Sequence, residues 1–347
     1  MNILYIGETK SSATAFHRAQ ALERLSNDVS FINPKNFINF NVNSKLKSFF
    51  HYHTGYTFLQ SKIKYALKKE LTQLQSKPDL VWVNSGELLG PVSMKALKTL
   101  NVPVVLYNND DPTGGRDGNR FMSLLKAIRY YDLCAVLRVQ NVAEYKQKGA
   151  QDVLRVLMSY DEIMHKPYVE LSEIPEDMKS EVAFIGTWMK HENRDVFILE
   201  LIKKGVPISI RGDHWNKSPY FEQLKAYWKG PAVYDRDYVA AIQGAKICLG
   251  FLSKGNRDLH TRRSVEVPFI GSLFCAERTS EHQEMYAEGV EAVFWSSAEE
   301  CAALCLDLLQ DPAKCEAIRL AGMQRVRKLQ AGNEDIARLI LNKTFNS

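Results

Sequence analysis

Residues 246–277 read KICLGFLSKGNRDLHTRRSVEVPFIGSLFCAE. Two apolar runs in this stretch, residues 247–252 and 273–276, predict buried strands. Between the two runs lie a polar loop and a short helical segment that carries Arg263 and Glu266. Because burying such charges without partners is costly, they require a ligand or ion pairs. The stretch therefore predicts a strand–loop–helix–strand unit of an α/β sheet with charged groups at one end.

These charged side chains follow a strand at its carboxyl end, which is where open α/β sheets usually bind ligands. Arginine at such a place suits a phosphate, and a carboxylate further along the helix suits a sugar hydroxyl. Alternatively the charges form salt bridges on a solvated helix face. One wide face could hold Asp258, Arg262, Arg263 and Glu266. The spacing alone leaves both interpretations open.

The rest of the chain repeats the alternation of short apolar strands and helices, which favours parallel sheets with right-handed crossovers. One series runs from the strand at residues 2–7 to a strand at 153–157, and a second begins at residue 182. A chain of 347 residues is long enough for two cores. The polar residues 166–180 predict a linker. The sequence thus predicts two Rossmann-like domains, 1–165 and 181–332.

Composition excludes several classes of protein. The apolar fraction of 45% and the net charge of +5 are ordinary, and the charge is too mild to indicate a nucleic-acid partner. No apolar run is long enough to cross a membrane, and the start MNILYIGET is not typical of a signal peptide. The six cysteines form no C-x-x-C pair and predict buried thiols in a reducing cytosol rather than a metal site.

Candidate catalytic groups in the first domain follow two of its predicted strands. Asp110 and Asp111 follow the strand at 102–107 after two asparagines and could orient an acceptor hydroxyl or accept its proton. Asp111-Pro112 is also ordinary turn chemistry, so both interpretations remain. His17 lies in the first turns of the helix after the strand at 2–7, where it either faces a ligand or is a surface histidine without a role.

Residues 36–57 are the least regular part of the sequence and are rich in aromatic side chains. Lysines precede this part and recur in the helix predicted over residues 59–74. Basic residues interleaved with aromatic ones suit an anionic membrane surface or a large acceptor. A solvated helix beside a packed loop explains the same pattern. Peripheral membrane contact through residues 45–69 is therefore a hypothesis that the sequence raises.

The motif Arg263-Ser264-Val265-Glu266, followed by Gly271, resembles group-1 glycosyltransferases of the GT-B fold, in particular the spore-maturation-protein-like branch. The wider retaining group has two acidic residues with seven between them, here Asp258 and Glu266, although Asp258 stands where glutamate is usual. The resemblance implies two Rossmann-like domains that face each other across a cleft. It also implies that the terminal segment 333–347 packs on the first domain, and that transfer retains anomeric configuration without a bound metal.

The resemblance also implies roles for individual residues of the second domain. A Gly-Thr turn that feeds a helix is expected against the donor diphosphate, with Lys190 and Arg194 one turn apart within that helix. Glu266 is expected to accept hydrogen bonds from the ribose, and Trp215 either stacks on the nucleotide base or is a buried structural residue. Asp258 is expected to contact the donor sugar and Arg263 to stabilise the leaving group. The expected donor-binding residues are Gly186, Thr187, Lys190, Arg194, Trp215, Arg257 and Glu266.

The prediction is a cytoplasmic glycosyltransferase of polysaccharide or glycoconjugate biosynthesis. Its co-substrate is a nucleotide-sugar, it needs no cofactor or metal, and its acceptor is a glycan, a lipid-linked molecule or a protein. The D-x-D at residues 235–237 opens a predicted helix, where carboxylates commonly act as caps. Two alternatives remain, a nucleotide-sugar epimerase and a binding module that keeps the fold without the activity.

Overall fold

Two parallel β-sheets organise the chain, one in each of two α/β units, and the computed structural model describes residues 1–38 and 45–346. Unit 1 comprises Met1–Leu157, Gly255–Arg257 and Asn333–Ser347. Unit 2 comprises Met158–Lys254 and Asp258–Gly332. The boundary after Leu157 lies eight residues before the expected end of the first domain, and residues 166–180 belong to unit 2.

The sheet of unit 1 has six strands, and valine, leucine and isoleucine dominate its central strands because both faces are covered by helices. The strand order is β2-β1-β3-β4-β5-β6, and every neighbouring pair is parallel. The strands are β1 (Asn2–Ile6), β2 (Asp28–Ile32), β3 (Leu80–Asn84), β4 (Val104–Asn108), β5 (Leu133–Val136) and β6 (Val153–Arg155).

Six helices connect or flank these strands, and one of them was not predicted. They are α1 (Thr14–Arg24), α2 (Lys45–His53), α3 (Gln60–Thr72), α4 (Pro91–Lys98), α5 (Met122–Ala127) and α6 (Val139–Gln147). The irregular segment expected over residues 36–57 is wrong for its second half, which is α2. Residues 39–44 of that segment lie outside the described residues. The helix was missed because its apolar residues do not face the core.

The sheet of unit 2 has five parallel strands in the order β11-β10-β9-β7-β8. The strands are β7 (Ser180–Ile185), β8 (Ile208–Arg211), β9 (Ala245–Gly250), β10 (Leu273–Glu277) and β11 (Val293–Trp295). The helices are α7 (Arg194–Lys203), α8 (Phe221–Leu224), α9 (Asp235–Gln243), α10 (Arg263–Ile270), α11 (Ser280–Met285), α12 (Ala298–Gln310) and α13 (Pro312–Lys328). Residues 246–277 thus contain most of β9, all of α10 and all of β10.

The final helix, α14 (Asn333–Phe345), belongs to unit 1 and packs on α1. Arg24 of α1 donates to Glu334 of α14 over 2.7 Å. No described helix is long and apolar enough to cross a membrane.

The prediction of two Rossmann-like domains with parallel sheets is confirmed. One local prediction was wrong. Helix α7 begins at Arg194, so Lys190 lies in the turn before it and not within the helix. Thr279 caps α11 by accepting a hydrogen bond from the backbone N–H of His282. Gly271 ends α10 with a φ of 106°, a left-handed conformation that favours glycine.

Candidate functional site

The carboxylate of Glu266 is the centre of the candidate site in unit 2. Glu266 lies in the first turn of α10 and only 1% of its surface is exposed. Its Oε2 accepts hydrogen bonds from Arg263 at 2.5 Å and from the Tyr238 hydroxyl at 2.6 Å. Its Oε1 accepts none from the described residues. The basic side chains nearest to Oε1 are His165, at 3.7 Å, and Arg262, at 3.9 Å. One oxygen is therefore anchored and the other is available to a ligand.

Glu266 keeps its negative charge at neutral pH despite its burial. Burial raises the pKa of this carboxyl, but the charges of Arg262, Arg263 and His165 and the hydrogen bond from Tyr238 lower it to about 2. Burial lowers the pKa of His165. Its Nδ1 accepts the backbone N–H of Asp161, so Nε2, which faces Glu266, carries the hydrogen.

Arg263 connects α10 to the end of strand β7. Its Nε donates to the carbonyl of Ile185, the last residue of β7, over 3.3 Å. Its guanidinium lies 4.6 Å from the ring centroid of Tyr238. The nitrogen Nη2 makes no hydrogen bond within the described part of the chain, and 26% of the side chain is exposed. Arg263 is therefore held in place and still has a donor for an anion.

The turn after β7 is packed too closely for a side chain at Gly212. A Cβ there would lie 2.0 Å from the carbonyl oxygen of Gly186. Trp215 is fully buried, and its indole N–H donates to that same carbonyl over 2.9 Å. A completely buried indole cannot stack on a base, so of the two interpretations of Trp215 the structure favours the buried structural residue. Gly186 and Thr187 lie at the carboxyl end of β7, as expected.

Arg194, the first residue of α7, and Lys190, in the turn before it, have different environments. The guanidinium of Arg194 is buried and donates to the carbonyls of Thr187, at 3.0 Å, and Leu252, at 3.2 Å. It thus holds together the loops that follow β7 and β9. Lys190 is exposed, and the structure gives it no ion pair with a described residue. Of these two basic residues, Lys190 is therefore the better placed to meet an anion from solvent. Asp258, a further candidate, is buried in the loop before α10.

Arg257 takes part in an ion-pair network of unit 1. It donates from two nitrogens to both oxygens of Asp111, each at 2.7 Å, and it also donates to Glu144 at 2.8 and 3.0 Å. Asn141 donates to the same Asp111 carboxylate at 2.8 Å. The hydrogen bonds from Arg257 lower the pKa of Glu144 to about 2. The structure thus gives Arg257 protein partners instead of a phosphate, and it leaves Asp111 poorly suited to accept a proton.

Asp110, the neighbour of Asp111, has a different environment. Its carboxylate forms no hydrogen bond or ion pair with the described residues, although its backbone N–H donates to the Asn108 side chain over 2.8 Å. Burial raises the pKa of this carboxyl, against the opposing charges of Arg120 and Arg138. Asp110 is therefore an unengaged carboxylate at the carboxyl end of β4, the position expected for a group that handles an acceptor proton.

A pocket of ≈ 370 Å³ lies at the carboxyl ends of β1 and β3. Asn109 lines it, together with Arg120 and Glu87, which form an ion pair at 2.6 Å. Arg120 and Glu87 were not predicted from the sequence, although the position of Glu87 just after β3 was an available signal. His17 does not line this pocket. Its Nε2 lies 2.8 Å from the carbonyl oxygen of Ser11 and is therefore already hydrogen-bonded.

Among the residues that the structure describes, one group could hold a metal ion by its geometry. The thiols of Cys275, Cys301 and Cys305 lie within 4.8 Å of one another, and all three are fully buried in the core of unit 2. Thiols are soft ligands, and this group lies among apolar side chains rather than beside Glu266. The expectation of a metal-independent site stays a prediction.

Residues 194–341 match the model of a family described as glycosyl transferase-like. No curated protein matches the chain. Three solved structures are similar over nearly all of both chains. Alr3699/HepE of Anabaena in complex with UDP is 14% identical with a TM-score of 0.69, covering 99% of each chain. Sucrose-phosphate synthase of Thermosynechococcus elongatus is 12% identical, with a TM-score of 0.68 and complete coverage of both chains. An α,α-trehalose 6-phosphate synthase of Burkholderia multivorans is 13% identical with a TM-score of 0.60, covering 99% of this chain and 96% of the other.

The structural similarities establish the GT-B fold, with its two Rossmann-like domains. The family match covers most of unit 2, including α10 with Arg263 and Glu266. Over residues 194–341 the chain is thus similar to glycosyl transferase-like proteins.

Replacing Arg257 by alanine tests the network in unit 1. We expect Arg257→Ala to lower the free energy of unfolding by about 2 kcal/mol, since it leaves the buried Asp111 without its main partner. The estimate lies below the cost of breaking a fully buried pair because Arg257 is partly exposed. Urea unfolding followed by circular dichroism measures the change. Arg129→Ala, which removes an exposed arginine of the same unit, is the control. Equal stability of both variants would contradict the network's structural role.

Proposed function

We propose that the chain is a retaining, metal-independent glycosyltransferase of the spore-maturation-protein-like branch. It transfers a sugar from a nucleotide-diphosphate sugar to a hydroxyl acceptor. The observation that carries this proposal is the charged Glu266, whose Oε2 is anchored while its Oε1 accepts no hydrogen bond from the residues that the structure describes. The family match over this region supports it, and so do similar structures solved with UDP and with UDP-glucose.

The donor nucleotide lies, in this proposal, at the carboxyl ends of β7 and β9. Oε1 of Glu266 accepts hydrogen bonds from the ribose hydroxyls, which a charged acceptor binds more strongly than a neutral one. The backbone of Gly186 and Thr187 and the exposed ammonium of Lys190 lie near the diphosphate. Arg194 acts indirectly, because its guanidinium holds the loops that shape this edge of the sheet.

The chemical step breaks the bond between the sugar's anomeric carbon and the diphosphate oxygen. The electron pair stays on that oxygen, so negative charge grows on the leaving group. The free Nη2 of Arg263 and the ammonium of Lys190 stabilise this charge, which a metal ion would otherwise do. Arg263 does not move to do so, because Glu266 and the carbonyl of Ile185 already fix its orientation. Asp258 is proposed to contact the sugar.

The acceptor hydroxyl attacks from the face that the diphosphate leaves, so the anomeric configuration is retained. Asp110 orients this hydroxyl, and the proton goes to Asp110 or to a departing diphosphate oxygen. Asp110 suits this role better than Asp111, whose oxygens already accept hydrogen bonds from Arg257 and Asn141. We place the activity in the cytoplasm, in polysaccharide or glycoconjugate biosynthesis.

One residue favours an alternative function, that of a binding module without catalysis. Asp258 has a shorter side chain than the glutamate usual at its position. Incubation with UDP-glucose separates the two functions. An enzyme hydrolyses or transfers the sugar slowly, whereas a module binds the donor and leaves it intact. An epimerase would instead convert the free donor into its epimer without an acceptor.

The metal independence is tested by thermal unfolding with UDP as the probe. UDP at about a hundred times its dissociation constant should stabilise the protein by roughly 2.7 kcal/mol, because ligand binding to the folded state adds to its stability. The same shift is expected with Mg²⁺ and with EDTA. Stabilisation that EDTA removes would contradict the proposal and direct attention to Asp235 and Asp237 at the start of α9.

Glu266 and Arg263 should fail in different ways. Glu266→Gln should weaken UDP binding by about 1.5–3 kcal/mol, the usual contribution of a charged hydrogen bond, with less effect on turnover at saturating donor. Arg263→Ala should lower turnover on the order of a hundredfold or more and change UDP affinity less, because it acts on charge that develops during the reaction. Calorimetry with UDP and donor-hydrolysis rates measure the two effects.

Glu222→Gln serves as the control for this pair, since Glu222 is an exposed carboxylate of α8. Circular dichroism shows whether each variant folds. If both variants unfold, the pair is only a buried structural salt bridge. If both fold, bind UDP and turn over like the control, the donor site lies elsewhere and the proposal is wrong.

Asp110→Asn tests the acceptor side. We expect turnover to fall by about a hundredfold or more if Asp110 accepts the proton, while UDP affinity stays unchanged. In the parent protein the rate should rise with pH as Asp110 loses its proton, at a pH above the usual range for aspartate because burial raises its pKa. The variant should lack this rise. Asp28→Asn, at an exposed position, is the control. Unchanged turnover would assign the proton to the diphosphate.

A further inference from the structure

Helix α2 presents an apolar face to solvent. Leu46, Phe49 and Phe50 lie at i, i+3 and i+4 and therefore share one side of the helix. Their exposed fractions are 84%, 65% and 50%, and Phe58 nearby is 69% exposed. The rings of Phe50 and Phe58 stack with centroids 5.5 Å apart. A surface helix normally turns such a face toward the core, so this cluster marks an interaction surface.

The orientation of α2 is held by its polar side. The Tyr52 hydroxyl donates to the carboxylate of Asp117 over 3.1 Å. The guanidinium of Arg120 lies 5.5 Å from the centroid of the Tyr52 ring. His51 and Tyr52 are half-buried while the apolar residues stand outward. These contacts specify the outward direction of the apolar face.

The neighbouring helix α3 adds positive charge to the same region. Tyr65 is 76% exposed, and the exposed lysines of α3 alternate with it along the helix. None of these lysines forms an ion pair with an acidic residue in the described ranges. Residues 45–72 contain a single acidic residue, Glu70. We call the set the basic-aromatic surface: Leu46, Lys47, Phe49, Phe50, Phe58, Lys62, Lys64, Tyr65, Lys68 and Lys69.

We propose that the basic-aromatic surface docks on an anionic phospholipid bilayer. The apolar side chains enter the boundary between headgroups and acyl chains, where amphipathic surface helices bind. The lysines lie at the level of the lipid phosphates, and Tyr65 suits the same interface. A second copy of the chain is a poor occupant, because the two surfaces would bring like charges together.

The surface also continues to the pocket of unit 1 that Asn109, Arg120 and Glu87 line, where we place the acceptor. Tyr52 contacts Arg120 and Asp117, and Arg120 forms the ion pair with Glu87 on the pocket wall. A bilayer bound to α2 would bring lipid headgroups beside that pocket. The acceptor is therefore a hydroxyl-bearing molecule anchored in the membrane. This second statement rests on the proposed function, whereas the docking itself does not.

Vesicle flotation of the full chain tests the docking without any donor. The vesicles are phosphatidylcholine alone or an equal mixture of phosphatidylcholine and phosphatidylglycerol. We expect the protein to float with the anionic vesicles, to stay unbound with the neutral ones, and to bind less as salt rises. Failure to float with the anionic vesicles overturns the proposal.

Two sets of variants separate the surface from general charge. Each lysine near an anionic membrane surface raises the partition coefficient of a protein between water and membrane about fivefold. Replacing the four lysines of α3 by glutamine should therefore lower vesicle binding on the order of several hundredfold. The matched control removes the same charge from exposed lysines elsewhere on unit 1 and should change binding by about twofold at most, because these lysines lie off the surface. The test set is Lys62, Lys64, Lys68 and Lys69, and the control set is Lys95, Lys126, Lys146 and Lys148.

The apolar part has its own pair of variants. Glutamine at Leu46, Phe49 and Phe58 should lower binding roughly tenfold per side chain, the effect of withdrawing one large apolar group from lipid. The control places glutamine at three other exposed apolar positions of unit 1, Val92, Val139 and Leu339. Equal losses in test and control sets would overturn the proposal.

Two further measurements separate the remaining outcomes. A doubled mass in light scattering that the glutamine substitutions at Leu46, Phe49 and Phe58 abolish would identify a contact between copies and overturn the membrane surface. The thermal shift with UDP should be the same in all variants. If UDP does not stabilise the parent protein, the proposed function is contradicted. If UDP stabilises the parent protein but the protein does not float with anionic vesicles, only the docking is contradicted.

Discussion

The carboxylate of Glu266 stays charged although it is almost completely removed from water, and the carboxyl edge of unit 2 is built around this charge. Arg263 neutralises it and at the same time binds the last carbonyl of β7. Tyr238 donates to the same oxygen from α9. One buried charge thus fixes two helices and a strand relative to one another. Buried ion pairs often stabilise a protein no more than apolar residues would. A requirement for binding explains this pair better than a requirement for folding does.

The sequence could predict the parts that depend on local pattern. Apolar runs such as residues 247–252 locate the strands, and the alternation of strands with helices indicates parallel sheets. The pair Arg263 and Glu266 was also within reach, because both lie on one helix just after a strand. Helix α2 was not, since its apolar face turns to solvent and the usual rule for recognising a helix assumes the reverse.

The partners of the site residues could not be predicted, because they lie far away in the chain. Arg257 and Asp111 are 146 residues apart, and Glu266 and Tyr238 are separated by 28. Asp110 and Asp111 illustrate the difference further. Adjacent in sequence and identical in chemistry, they differ only in what the fold places beside them. The carboxylate of Asp111 accepts hydrogen bonds from Arg257 and Asn141, whereas the carboxylate of Asp110 accepts none from the described residues.

Unit 1 is discontinuous along the chain, because its last helix, α14, follows all of unit 2. Helix α14 packs on α1, and its Glu334 pairs with Arg24. During synthesis the ribosome therefore makes β1 to β6 first but completes the unit that contains them only after residues 333–345 have emerged. Arg257, the partner of Asp111, is also made after most of unit 1. The residues of unit 2 lie between the segments of unit 1 in the chain. Unit 2 can therefore complete its packing before the last segment of unit 1 has been synthesised.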